Sequence, residues 1–171
     1  MIHSGGIVKS SSQRSIVTSR INGQSYVSGT LVRINWDLLN PSEGVFDFSA
    51  IEQELEQASL YDSSISLAIL DSKTMPQYVL DKCETFDYTF RGQGVTTCLP
   101  WDSEYQKYKA ELVSAVGSQF DDHPNLAAVY FTYSAMTNGV EMHWRVDEEE
   151  FAAAGYTPDK LVDSYLSLIH I

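Results

Sequence analysis

Three short apolar runs punctuate the chain, spaced so that a helix fits after each. The first spans residues 31–36, where Leu31, Val32 and Ile34 enclose a single charged residue, Arg33. ISLAIL at 65–70 and LAAVYFTY at 126–133 are the second and third. Near-continuous apolar runs of this length predict strands buried on both faces. Helical spacing fills the intervals. Ile51, Leu55 and Ala58 share one face of segment 49–61, which Ser49 and Glu52 open as a capping box. Tyr105, Tyr108, Leu112, Val116 and Phe120 share a face of a second helix, capped by Asp102. Asp147 with Glu150 starts a short helix that Gly155 ends, and Thr157-Pro158 opens the last one.

Alternation of strand and helix predicts an α/β fold built from βαβ units on a parallel sheet. The long, unusual loops all follow strands, at 36–48, 71–100 and 134–146, whereas the helix-to-strand link at 121–125 is short and plain. In (β/α)8 barrels the strand-to-helix loops form the active face. This asymmetry predicts a partial (β/α)8 TIM barrel with parallel strands, truncated after about the fourth βα unit. Residues 29–165 would form its amino-terminal half, and residues 1–28 read as a polar leader, disordered or partly non-native. The last six residues, Leu166-Ser167-Leu168-Ile169-His170-Ile171, match what a common sequencing-library transposon adapter encodes. They are expected to be a non-biological tail; an ordinary apolar helix end is the alternative.

Composition narrows the function classes. The chain has 171 residues, 43% of them hydrophobic, enough for one packed core. No run is long enough to span a membrane, and no membrane partner is expected. A net charge of −12 with only 11 Lys and Arg argues against nucleic acid, whose phosphates need a basic face. Residues 1–12 contain no apolar segment of the signal-peptide kind. Cys83 and Cys98 flank a loop rich in Thr, Gly and aromatics. Either they pair, which favours an extracellular or secretory location, or they are unrelated thiols. The four histidines are scattered and no Cys pair has ligand spacing, so neither a metal nor a cofactor is expected.

One further pattern is the order of short motifs. Arg33 and Trp36 precede the turn Asn40-Pro41-Ser42-Glu43-Gly44 and then Phe46-Asp47-Phe48. Met75-Pro76-Gln77-Tyr78 follows a strand, Pro100-Trp101-Asp102 precedes a helix, and Asp122-His123-Pro124 precedes the next strand. Taken together, over roughly residues 29–165, this order resembles the clan A glycoside hydrolases, especially their β-galactosidase-like members. The resemblance implies a carbohydrate substrate and a retaining mechanism with two carboxylates flanking the glycosidic bond. It places a general acid/base Glu, preceded by Asn, after the fourth strand, and a nucleophilic Glu at the end of the seventh. The run at 126–133 would be that fourth strand, and no Asn-Glu pair follows it. The nearest carboxylate is Glu141, in Asn138-Gly139-Val140-Glu141-Met142-His143. No seventh strand is present, so the chain by itself is expected to be inactive.

Each candidate has a plainer reading beside the functional one. Glu141, flanked by Val140 and Met142 near Trp144, is the candidate acid/base, or a loop carboxylate in a salt bridge. Arg33 would orient the nucleophile, or pair with Asp37 or Asp71 for structural reasons; both readings expect it buried. Trp36 and Trp144 are candidate sugar-stacking rings, whereas Trp101 is expected to close the core. Asp71 and Asn138 could bond sugar hydroxyls, although Asp71 could equally cap a turn. The rival to an enzyme is a non-catalytic carbohydrate-binding barrel that has lost its acid/base. Oligomeric state is not legible in the sequence.

Overall fold

The computed structural model describes residues 2–8, 18, 24–131 and 146–169. Its main sheet has four parallel strands, β1 (Ile2–Val8), β2 (Gly29–Asn35), β3 (Ser64–Leu70) and β6 (Leu126–Tyr130), in the order β1-β2-β3-β6. Helix α1 (Trp36–Leu39) is a single turn that leaves β2, and α2 (Ser49–Leu60) follows it. After β3 come a 3₁₀ turn (Ser72–Thr74), α3 (Gln77–Leu80) and an antiparallel pair, β4 (Thr85–Phe90) and β5 (Gln93–Cys98). Helix α4 (Ser103–Phe120) leads into β6; α5 (Glu148–Ala153) and α6 (Pro158–Ile169) close the described chain.

Register explains the core. Val32 lies opposite Leu67 and Ile34 opposite Ile69, and Leu67 is in turn opposite Val129. These side chains form one continuous apolar face. Against it pack Ile51, Leu55 and Ala58 of α2 and Tyr105, Leu112, Val116 and Phe120 of α4. Strand β3 lies between β2 and β6 and is buried at every position after Ser64, as a central parallel strand should be. Gly29 begins β2 because the backbone there is crowded: a Cβ would stand 2.7 Å from the carbonyl oxygen of Ser64.

Several expectations are revised. The segment expected to be a polar leader contains β1, which pairs in parallel with β2. Its sequence, IHSGGIV, carries a Gly pair and no sustained periodicity, so it gave no strand signal. Thr18, from the same segment, donates its backbone N–H to Oε2 of the buried Glu54 at 3.0 Å, and its hydroxyl bonds the same oxygen. The last strand is shorter than the apolar run and only half-buried, with Tyr130 40% exposed. The capping box does not form either: Phe48 is the N-cap of α2, and the Ser49 N–H is taken by Asp47 Oδ1 at 3.0 Å. Asp102 and Asp147 cap α4 and α5 as expected, accepting from Tyr105 and from Glu149 and Glu150.

The largest difference lies in the long loop after β3, which is a β-hairpin. Thr85-Phe86-Asp87-Tyr88-Thr89-Phe90 alternates, burying Phe86 and Tyr88 on one side. The tip, Arg91-Gly92, has φ of 52° and 78°, positive at both central positions, as a type I′ turn requires. Phe86, Tyr88, Leu99 and Phe151 form a second apolar cluster beneath the hairpin. Trp101 packs into that cluster beside Phe151 and Tyr156, which is the core-closing role expected of it. Cys83 and Cys98 form a disulfide across the base of the hairpin, with Cα atoms 5.7 Å apart and a sequence separation of 15. Closing a loop of that length is worth about 3 kcal/mol through the unfolded chain. Replacing both cysteines by serine is therefore expected to lower unfolding stability by about that amount in urea melts. An unchanged midpoint would show that the hairpin does not depend on its staple.

Candidate functional site

The carboxyl ends of β2 and β3 carry four of the residues the sequence singles out: Arg33, Trp36, Asp37 and Asp71. Alternation along the strands sends them to different places. Val32, Ile34 and Trp36 share the face packed on the helices, and Arg33 stands on the opposite face, opposite Ile7 and Ala68 in register. Arg33 is half-buried rather than buried. It remains the one charged side chain of the β2 run, and it faces away from the helix layer. Within α1, desolvation pushes the Asp37 carboxyl above its ordinary range, against hydrogen bonds from the Asn35 side chain and the Leu38 N–H.

Trp36 is 0% exposed, so its ring cannot serve as a sugar platform. The Lys109 ammonium sits 4.8 Å from the centre of that ring, and the Tyr105 ring lies 6.0 Å away at a tilt. A ring covered in this way anchors α1 and the strand end below α4.

Asp71 is likewise buried, at 4% exposure. Its Oδ2 accepts from Tyr105 Oη and Lys109 Nζ, both at 2.6 Å, and Oδ1 accepts from the Ser72 N–H at 2.6 Å. Both oxygens are engaged inside the protein, so contact with a sugar hydroxyl is replaced by a structural role. Asp71 caps the turn after β3, the plainer of its two readings, and locks α4 to the strand. The suggested Arg33–Asp71 pairing gives way to Lys109–Asp71, since the two residues leave the sheet on opposite faces. Lys109 was missed by the sequence reading, yet a signal was there. It falls on the apolar stripe of α4, four residues after Tyr105 and three before Leu112.

The Asn40–Gly44 turn is a second structural hub. Asn40 is 2% exposed, and its Nδ2 donates to the carbonyls of Ser42 at 3.0 Å and Val45 at 2.8 Å. Its Oδ1 accepts from the Tyr78 hydroxyl. Burial, and then the nearby Glu111, push that hydroxyl up to about 12, so Tyr78 stays protonated as the donor. Gly44 takes φ 70°, the conformation that the turn requires and that a side chain would resist. Glu43 is exposed, accepting from Lys82 Nζ at 2.7 Å and Tyr108 Oη at 2.6 Å; these bonds hold its carboxyl below the usual range. The turn thereby ties the loop after β2 to α3 and α4.

Glu141, Asn138 and Trp144 lie outside the described residues. They follow β6 in the sequence, so the candidate residues that the structure describes are those at the ends of β2 and β3. No group of three or more His, Cys, Asp or Glu with metal-binding geometry occurs among the described residues. No described helix is long and apolar enough to cross a membrane.

A parallel sheet of four strands with elaborated strand-to-helix loops is compatible with part of a (β/α)8 barrel. Compared with curated proteins, the chain has no significant match. The family model for β-galactosidase, glycoside hydrolase family 42, matches residues 24–154.

Proposed function

This chain belongs to the β-galactosidase family of glycoside hydrolases, and from that premise we propose that its parent protein cleaves O-glycosidic bonds by a retaining, two-carboxylate mechanism. In this reading β1, β2, β3 and β6 are the first four strands of a (β/α)8 barrel. The family match supports it, together with the sheet order, which makes the strand at 126–130 the fourth of the parallel set. Glu141, in the connection after that strand, is the acid/base. It protonates the departing glycosidic oxygen while a second carboxylate attacks the anomeric carbon. It then deprotonates the water that releases the sugar. The second carboxylate is expected at the end of a seventh strand.

The remaining candidates are assigned by where they fall. Arg33, on the face of β2 away from the helices, orients the nucleophile by charge and hydrogen bonding. Asn138 bonds sugar hydroxyls, and Trp144 offers its ring to the C–H face of a sugar. The ligand is a carbohydrate, with no nucleic acid or membrane partner, and the Cys83–Cys98 disulfide favours an oxidising compartment. Residues 166–171 are proposed to be the adapter-derived tail.

One observation favours a second reading, a carbohydrate-binding barrel without catalysis: no Asn-Glu pair follows the fourth strand. The uninterrupted gene product separates the two. The enzyme reading expects glycoside cleavage and a Glu at the end of a seventh strand. Sugar binding without cleavage, and no such Glu, would sink it.

A further inference from the structure

The two sulfurs of the disulfide stand in unlike surroundings. Strand β5 is exposed over most of its length and enters the core only at its last two residues, Thr97 and Cys98. Cys98 is 0% exposed, and Leu99 after it is buried as well. Met75, itself 5% exposed, seats its thioether sulfur 3.0 Å from Cys98 Sγ. Cys83 follows α3, half-buried, between the exposed Lys82 and Glu84.

Thiol–disulfide exchange is a displacement, so the entering thiolate must reach one sulfur while the other departs as a thiolate. Two effects oppose each other here. Attack on Cys98 would release Cys83 where water can solvate a thiolate, but no thiolate reaches a side chain at 0% exposure. Attack on Cys83 is open, yet it leaves the Cys98 thiolate in an apolar site, beside a thioether that donates no hydrogen bond. Lack of access forbids the first route, whereas poor solvation of the leaving sulfur only slows the second.

We infer that Cys83 is the modification site of this bond: small thiols enter there, slowly, and Cys98 is always the leaving sulfur. In that step a thiolate forms a sulfur–sulfur bond to Cys83 Sγ as the Cys83–Cys98 bond breaks, and the electron pair leaves on Cys98 Sγ. The entering sulfur is oxidised and Cys98 is reduced. The base of the hairpin does not open with the bond. Leu99 N–H still donates to the Glu84 carbonyl at 2.9 Å, and Glu84 N–H to Asp102 Oδ2 at 3.0 Å, so Cys98 stays covered while Cys83 carries the adduct.

The test uses wild-type protein and reduced glutathione, with and without concentrated urea. Samples are quenched with acid, alkylated with N-ethylmaleimide in urea and digested with trypsin. Cleavage after Lys82, Arg91 and Lys107 places the two cysteines on separate peptides, 83–91 and 92–107. In the folded protein, glutathione should be found on peptide 83–91 and maleimide on 92–107, in at least about tenfold excess over the reverse. Urea should speed the exchange at least about 100-fold and bring the ratio to within about threefold of one, because burial sets the difference. Adduct on both peptides alike in the folded protein, or on neither, would overturn the inference. So would a tenfold bias that persists in urea, which would place its origin in the neighbouring residues of the sequence rather than in the fold.

Discussion

Replacing Lys109 with methionine is expected to destabilise the intact protein by about 3–5 kcal/mol, the cost of leaving one partner of a buried ion pair uncompensated. Lys109 and Asp71 both have side chains at 0% exposure, with Nζ and Oδ2 2.6 Å apart. Methionine matches the aliphatic stem of lysine, so packing against Trp36 is largely kept and little cavity forms. What remains is a carboxylate out of water, with only Tyr105 Oη and the Ser72 N–H to stabilise it. The second member of the cycle sharpens the claim. Asp71→Asn in the Lys109→Met background removes the stranded charge but keeps an acceptor for Tyr105. The double variant should therefore recover about 2 kcal/mol or more of the loss in urea titrations followed by tryptophan fluorescence. Equal stabilities for the single and double variants would show that the charges are not coupled.

Glu141→Gln is expected to lower kcat by about 100-fold to 10,000-fold, the usual contribution of a positioned general acid/base. Glutamine keeps the size and hydrogen bonding of the side chain but cannot give up a proton, so substrate binding should be nearly unchanged. The loss should also depend on the leaving group. A dinitrophenolate departs without protonation, whereas an alkyl alcohol or sugar does not, so formation of the glycosyl-enzyme should suffer far less for the dinitrophenyl glycoside. Unchanged kinetics on all substrates would remove Glu141 from catalysis.

How much of this was legible beforehand depended on how locally the physics acted. The apolar faces of α2 and α4 and the run of β3 followed from spacing alone, because a buried face must be apolar whatever its partner. Trp36 and Asp71 were correctly placed at strand ends, but the choice between a structural and a sugar-binding environment was left open. A sequence shows that a Trp ends a strand; it does not show whether the ring turns to the helix layer or to the opposite face. The deciding residue, Lys109, lies 38 positions from Asp71, and its only local sign was a charge on an apolar stripe. The hairpin could have been read from the alternation of Thr85 to Phe90 and the Arg91-Gly92 pair. Its cysteines and glycines instead read as loop punctuation. β1 was invisible because its stability comes from pairing with β2 rather than from its own apolar content. The family likeness lay in the order of weak motifs, and the structure gives one of them a reason: Asn40 and Gly44 shape a turn that holds α3 and α4 against the strand ends.

Two carboxylates that act in succession predict a definite stereochemical course, and that is the most direct test of the central claim. Proton NMR of the full-length protein acting on an aryl β-galactoside should show β-galactose as the first-formed sugar, with the α anomer appearing only later by mutarotation. First appearance of the α anomer would contradict the retaining mechanism, and tight binding with no galactose released would contradict the enzyme.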